Sequence, residues 1–122
     1  MYSGFEKWLN EVLDENMPLD GKAVCFNLYE EDENEWSVQL ISASYFDEED
    51  DDWCCEEVFT TGEDLYIWKQ KAGWEDVLKA SCDAVVQYLE EGKHADALKE
   101  YDAVAAGFVD GDLEILYMQG EE

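Results

Sequence analysis

Val24-Cys25-Phe26-Asn27-Leu28-Tyr29 and Trp36-Ser37-Val38-Gln39-Leu40-Ile41 are two runs in which large apolar residues recur at every second position. A period of two marks a half-buried strand, because successive side chains leave opposite faces of the backbone. Glu31-Asp32-Glu33-Asn34 lies between them, polar and of turn length, and predicts a hairpin. A third run extends from Trp53 through Cys54, Cys55, Val58 and Phe59 to Thr61. Three successive strands with short polar connections most simply form an antiparallel meander.

Helical periods flank this centre. Ser3 followed by Glu6 has the form of a capping box. Phe5, Trp8, Leu9, Val12 and Leu13 then fall on one helical face, ended by Asn16 and Pro18, so a helix is expected over about 4–15. From Gly62 to Gly73 the period is indistinct, with Leu65-Tyr66-Ile67-Trp68 read as a short strand or a packed loop. Trp74, Val77, Leu78, Cys82, Val85 and Leu89 define a second helical stripe, and Gly92 stands where a left-handed C′ residue would end it. Lys93 to Tyr101 predicts a short further helix carrying Ala95, Leu98 and Tyr101. Val104, Ala106 and Phe108 alternate up to Asp110-Gly111, and Leu113, Ile115 and Tyr117 alternate after it. Asp-Gly between alternating runs is the signal of a two-residue type I′ hairpin. The expected architecture is a single α+β domain over 1–122, in the order α-β-β-β-α-(α)-β-β. Its five strands would form one antiparallel sheet with the helices packed on one face.

Charge decides which partners are open to such a domain. The chain carries 33 acidic residues against 7 lysines and no arginine, for a net charge of −26. DNA, RNA and anionic membranes are held chiefly by Lys and Arg displacing counterions, so direct binding to any of them is close to ruled out. The composition is nonetheless 47% hydrophobic and 14% aromatic, which a disordered chain would lack. The sequence opens on Met1-Tyr2-Ser3-Gly4-Phe5-Glu6, without the basic start and apolar core of a secretion signal. A cytoplasmic protein with reduced thiols is therefore expected at Cys25, Cys54, Cys55 and Cys82.

Asp47-Glu48-Glu49-Asp50-Asp51-Asp52 places six carboxylates in a row between the second and third strands. Tyr45 and Phe46 precede the run and Trp53 follows it. Six adjacent like charges oppose compaction unless a cation relieves them, and Tyr or Trp among carboxylates can receive Lys or Arg by charge and cation–π contact. Tyr45, Asp47, Glu48, Glu49, Asp50, Asp51, Asp52 and Trp53 are accordingly the candidate partner-binding residues, for a basic protein. The competing reading is a solvated loop whose Trp53 is simply the first core residue of the third strand. A second acidic tract, Glu30-Glu31-Asp32-Glu33 with Glu35, lies at the other end of a meander, so the acids would extend along the domain.

Other chemistries find little support. The acidic run has no glycine at the sixth position of an EF-hand loop and no ordered ligand spacing. Cys-x₂-Cys spacing is absent, and adjacent Cys54 and Cys55 would point to opposite strand faces, which argues against zinc. No local signature marks Cys54 or Cys82 as a nucleophile for His94, the single histidine, and no glycine-rich phosphate loop is present. No enzyme activity, cofactor or metal is expected.

Taken together, four stretches resemble a widespread group of small acidic bacterial proteins encoded among polymorphic-toxin immunity genes. They are Ala23-Val24-Cys25-Phe26-Asn27-Leu28-Tyr29; Trp36-Ser37-Val38-Gln39-Leu40-Ile41; Phe46-Asp47 through Asp52-Trp53-Cys54 to Glu57-Val58-Phe59; and Gly107-Phe108-Val109-Asp110-Gly111-Asp112-Leu113-Glu114. The likeness is one of pattern and overall character over about residues 23–117, and it carries no catalytic motif. It implies a cytoplasmic bacterial protein that binds and blocks a cognate toxin. A DNA-mimicking regulator, whose carboxylates imitate phosphates, is the alternative, followed by a Cys/His enzyme or metal protein. Duplex DNA should displace a mimic, whereas a cognate inhibitor should discriminate among equally basic partners. Either a monomer or a two-fold dimer paired through a strand edge is compatible with the chain.

Overall fold

A computed structural model describes residues 2–16, 19–47, 49, 53, 56–62, 64–108 and 113–118. It contains α1 (Tyr2–Asn16), β1 (Ala23–Asp32), β2 (Glu35–Ala43), β3 (Glu57–Thr60), β4 (Tyr66–Lys69), α2 (Trp74–Glu91), α3 (Ala95–Leu98), β5 (Ala103–Phe108) and β6 (Glu114–Met118). The six strands form one sheet in the order β3-β2-β1-β5-β6, with β4 also paired to β2. The α+β class holds, and two details of the expected sheet are corrected: it has six strands, and it is mixed.

The period-two runs form the centre as their alternation requires. β1 and β2 pair antiparallel with Phe26 opposite Leu40 and Leu28 opposite Val38, so the large residues of both strands share a face. Their turn is tighter than the polar stretch suggested. The strands run on to Asp32 and from Glu35, leaving Glu33-Asn34 at the tip with Asn34 at φ 59°. Asn tolerates that left-handed conformation better than most residues with a side chain. Tyr66–Lys69 resolves as a strand because β2 is long enough to hold two partners. β3 pairs with β2 at Ile41–Ala43, and β4 pairs with it at Glu35–Val38.

The parallel pairing is the larger departure. β5 lies beside β1 in the same direction, with Val24 opposite Val104 and Phe26 opposite Ala106. A parallel pair needs a crossover of a dozen or more residues, commonly a helix. α2 has 18 residues, about 27 Å of helix, enough to return the chain to the end where β1 began. The Asp102 amide then donates to the Lys22 carbonyl at 2.7 Å and aligns the two strand starts. β6 pairs antiparallel with β5, as the Asp-Gly hairpin requires, while Asp110-Gly111 itself lies outside the described residues.

Both helical stripes pack on one face. Phe5, Trp8, Leu9, Val12 and Leu13 of α1 join Val77, Val85, Tyr88 and Leu89 of α2 over Val24, Phe26, Leu28, Val38, Leu40 and Val104. Three local expectations change here. α1 begins at Tyr2, so Ser3 is already helical, and the Glu6 carboxylate accepts instead from the Tyr2 hydroxyl at 3.3 Å. Trp74 is 59% exposed and does not belong to the buried stripe. Gly92 is extended (φ −71°, ψ 158°) and not left-handed; a Cβ there would collide with the Tyr88 carbonyl and ring. Glycine ends α2 for want of room.

The opposite face holds a second, smaller core. Ala23, Cys25, Ile41, Ala43, Ala103 and Ala105 are fully buried there beneath Trp53, with Phe46 and Leu113 at the margin. Four alanines leave a shallow depression in the sheet, and the Trp53 indole fills it. Trp53 therefore lies in the connection before β3, which starts only at Glu57, and not in the strand expected from Trp53 to Thr61. Entry into β1 is equally constrained: Gly21 sits at φ +102°, and a Cβ would run into the Ala43 carbonyl that accepts from the Lys22 amide. Gly21→Ala is expected to destabilise by about 1–3 kcal/mol, seen as a lower urea midpoint with an unchanged m-value.

Candidate partner-binding surface

The acidic connection leaves β2 after Ala43 and is closed at its base by two backbone bonds. The Ser44 amide donates to the Glu56 carbonyl at 2.9 Å, and the Glu56 amide donates to the Trp53 carbonyl at 3.2 Å. Asp47 and Glu49 are exposed, and the Glu49 amide donates to the Asp47 carboxylate at 3.0 Å. Tyr45 is 39% exposed at the entry to the loop. Glu48, Asp50, Asp51 and Asp52 lie outside the described residues.

Trp53 requires a correction. As a surface anchor it would have to be reachable, yet it is 0% exposed and meets Phe46 edge-on, with ring centroids 5.3 Å apart and planes at 79°. Its indole N–H is buried without a hydrogen-bond partner. Its role is to pin the two ends of the acidic loop against the sheet. Among the loop's described residues Tyr45, Asp47 and Glu49 are exposed and open to a contact.

The second tract crowns the β1–β2 hairpin. Glu30, Glu31, Asp32 and Glu33 are exposed, and the hairpin tip and the acidic loop leave β2 from opposite ends. Glu31 is turned onto the helix-free face, where its carboxylate accepts from the Ser37 hydroxyl at 3.0 Å. Next to it the Tyr29 hydroxyl donates to the Gln39 side-chain carbonyl at 3.0 Å, and the Gln39 amide donates to the Gly62 carbonyl at 3.0 Å. Burial, then the charges of Glu57, Cys25 and Glu31, pushes the Tyr29 phenol above its ordinary range. Tyr29 thus stays a neutral donor among carboxylates.

Among the described residues few cations oppose this surface. Lys93 and His94 both meet one Asp14 oxygen at 2.7 Å, and Lys79 meets Asp83 at 3.4 Å. Hydrogen bonds from Lys93 and then His94 hold the Asp14 carboxyl below its usual range. A carboxyl lowered on folding contributes stability above the unfolded pKa and loses it as pH falls through the folded one. Asp14→Asn is therefore expected to be less stable than the parent at neutral pH. The two melting temperatures should converge as pH drops below about 4.

The Cys/His reading meets two obstacles in the geometry. Burial, followed by the charges of Glu114 and Asp83, pushes the Cys82 thiol up to about 11, far from a reactive thiolate. The nine helical steps from Cys82 to Glu91 span about 13 Å of α2, and His94 lies beyond them, bonded to Asp14. Cys54 lies outside the described residues. Among the described residues no group of three His, Cys, Asp or Glu side chains is placed to hold a metal. None of the described helices is long and apolar enough to cross a membrane.

One surface aromatic was hidden in the sequence pattern. Trp74 stacks edge-on against Phe108 (centroids 6.4 Å), which in turn meets Trp36 (5.8 Å). The helical stripe counts Trp74 as core because it keeps the right spacing. Its place as the first residue of α2, followed at once by Glu75-Asp76, is the signal that sets it apart. Comparison with family models, with curated proteins and with solved structures finds no match for this chain.

Proposed function

We propose that the chain is a non-enzymatic acidic protein that binds a basic protein partner and neutralises it, acting in the cytoplasm as an immunity protein acts against a cognate toxin. The observation that carries this reading is the placement of the charge. Among the described residues no charged side chain is buried, and exposed acids adjoin one another on the β1–β2 hairpin (Glu30, Glu31, Asp32 and Glu33) and at Asp47 and Glu49 of the next connection, in a chain of net charge −26. Toxin domains that cut nucleic acid are basic where they grip phosphate, so an acidic inhibitor associates quickly by electrostatic steering. Charge sets on-rate and partner choice; affinity has to come from apolar and aromatic contacts.

The test is co-expression with the polypeptide encoded beside it, followed by capture in low salt. A basic domain that is toxic alone, harmless with this chain and held in a one-to-one complex supports the reading. Toxicity unchanged by the chain, with no complex at low salt, sinks it.

A further inference from the structure

Building on that reading, we propose that the helix-free side of the sheet is the docking face for the basic protein, with Tyr29 and Ile67 at its centre. The helices pack on one face, whereas among the described residues the other is covered where Phe46, Trp53 and Leu113 close over the alanine-lined depression. Beyond that flap, the strip running through Tyr29, Gln39 and Ile67 has nothing packed on it from the described helices. Ile67 faces this side because it pairs with Ser37, and it is 53% exposed. Val58 faces the same side, since Phe59 beside it packs with the helices, and is 49% exposed.

A merely solvated sheet face alternates apolar-in with polar-out. Here outward positions carry Ile67, Val58 and the ring of Tyr29, whose hydroxyl donates to the Gln39 side-chain carbonyl. Acids flank this centre: Glu31 at the hairpin end and Glu57 toward Tyr29, with Asp47 and Glu49 exposed on the connection that leaves β2 at its other end. An apolar and aromatic middle inside a charged rim is the anatomy of a protein–protein interface. The sign of the rim selects the occupant. A partner presenting Lys and Arg around an apolar patch is complementary to it, and a second acidic copy of this chain is not.

Mapping on the full-length, isotope-labelled chain tests the assignment, with ferric cytochrome c in low salt as the compact basic probe. Amides of β1, β2 and β4 around Tyr29, Gln39 and Ile67 should shift and broaden. Changes centred on α1, α2 or Trp74 would overturn the face while leaving the basic-partner reading intact; no association at all would sink both. Ile67→Lys and Val86→Lys provide a matched pair. They add the same charge at exposed positions, one on the proposed face and one on the outer side of α2. Ile67→Lys should weaken binding about tenfold and Val86→Lys less than about threefold. Equal losses in the two variants would reduce the interaction to net charge and overturn the proposal. Self-association of the free chain that Ile67→Lys abolishes would assign the face to a second copy and likewise overturn it.

Discussion

Trp53→Ala is expected to cost about 3–5 kcal/mol of folding stability, the range for truncating a fully buried aromatic. Trp53 is 0% exposed over Ala23, Ala43, Ala103 and Ala105, so none of those side chains is long enough to refill the depression it leaves. For a domain of this size the loss corresponds to roughly 10–20 °C in melting temperature. Trp53→Phe should cost less than half as much. It keeps a ring against Phe46 and removes an indole N–H that is buried without a partner. Thermal unfolding of both variants checks the pair. Near-parental stability of Trp53→Ala would mean that the second core contributes little and that Trp53 does not pin the loop.

The second large effect is kinetic. Replacing Asp47, Glu48, Glu49, Asp50, Asp51 and Asp52 together by Asn or Gln removes six negative charges from one connection. Association with the basic partner should slow about ten- to hundredfold in low salt, and its dependence on ionic strength should flatten. Dissociation should change far less, because exposed charges act on encounter more than on the docked complex. Stopped-flow rates across a salt series decide the matter. Unchanged rates in low salt would remove this loop from the binding surface. The same substitutions relieve like-charge repulsion, so stability should stay level or rise slightly, in contrast with Trp53→Ala.

These two variants separate features that adjoin in the chain and differ in the fold. In sequence, Tyr45, the six acids and Trp53 read as one aromatic-bracketed binding segment. In the structure the bracket divides. Tyr45 and the described acids Asp47 and Glu49 face water, while Trp53 belongs to a core. A tryptophan beside carboxylates carries the same local pattern in either case. Only the small side chains it meets on β1, β2 and β5 decide the outcome, and they are 10 to 52 positions away in the chain. Ala23, Ala43, Ala103 and Ala105 were legible as residues but not as the walls of a single depression. Trp74 shows the converse, since correct helical spacing counted as burial a residue at a helix end that projects past its packing partners.

The sequence alone determined what local chemistry controls. Alternation gave strands at Val24–Tyr29 and Trp36–Ile41, and the helical stripes gave α1 and α2 with their inward faces. The charge argues against nucleic acid and anionic membranes as direct ligands. Tertiary structure decided what depends on partners distant in the chain. Period-two alternation says which way a side chain points but not which strand lies alongside, or in which direction. The parallel contact of β5 with β1 and the double use of β2 by β3 and β4 followed only once α2 had carried the chain back across the sheet. Among the described residues the same assembly left Ile67 and Val58 exposed on the side of that sheet away from the helices, a placement no single stretch of sequence encodes.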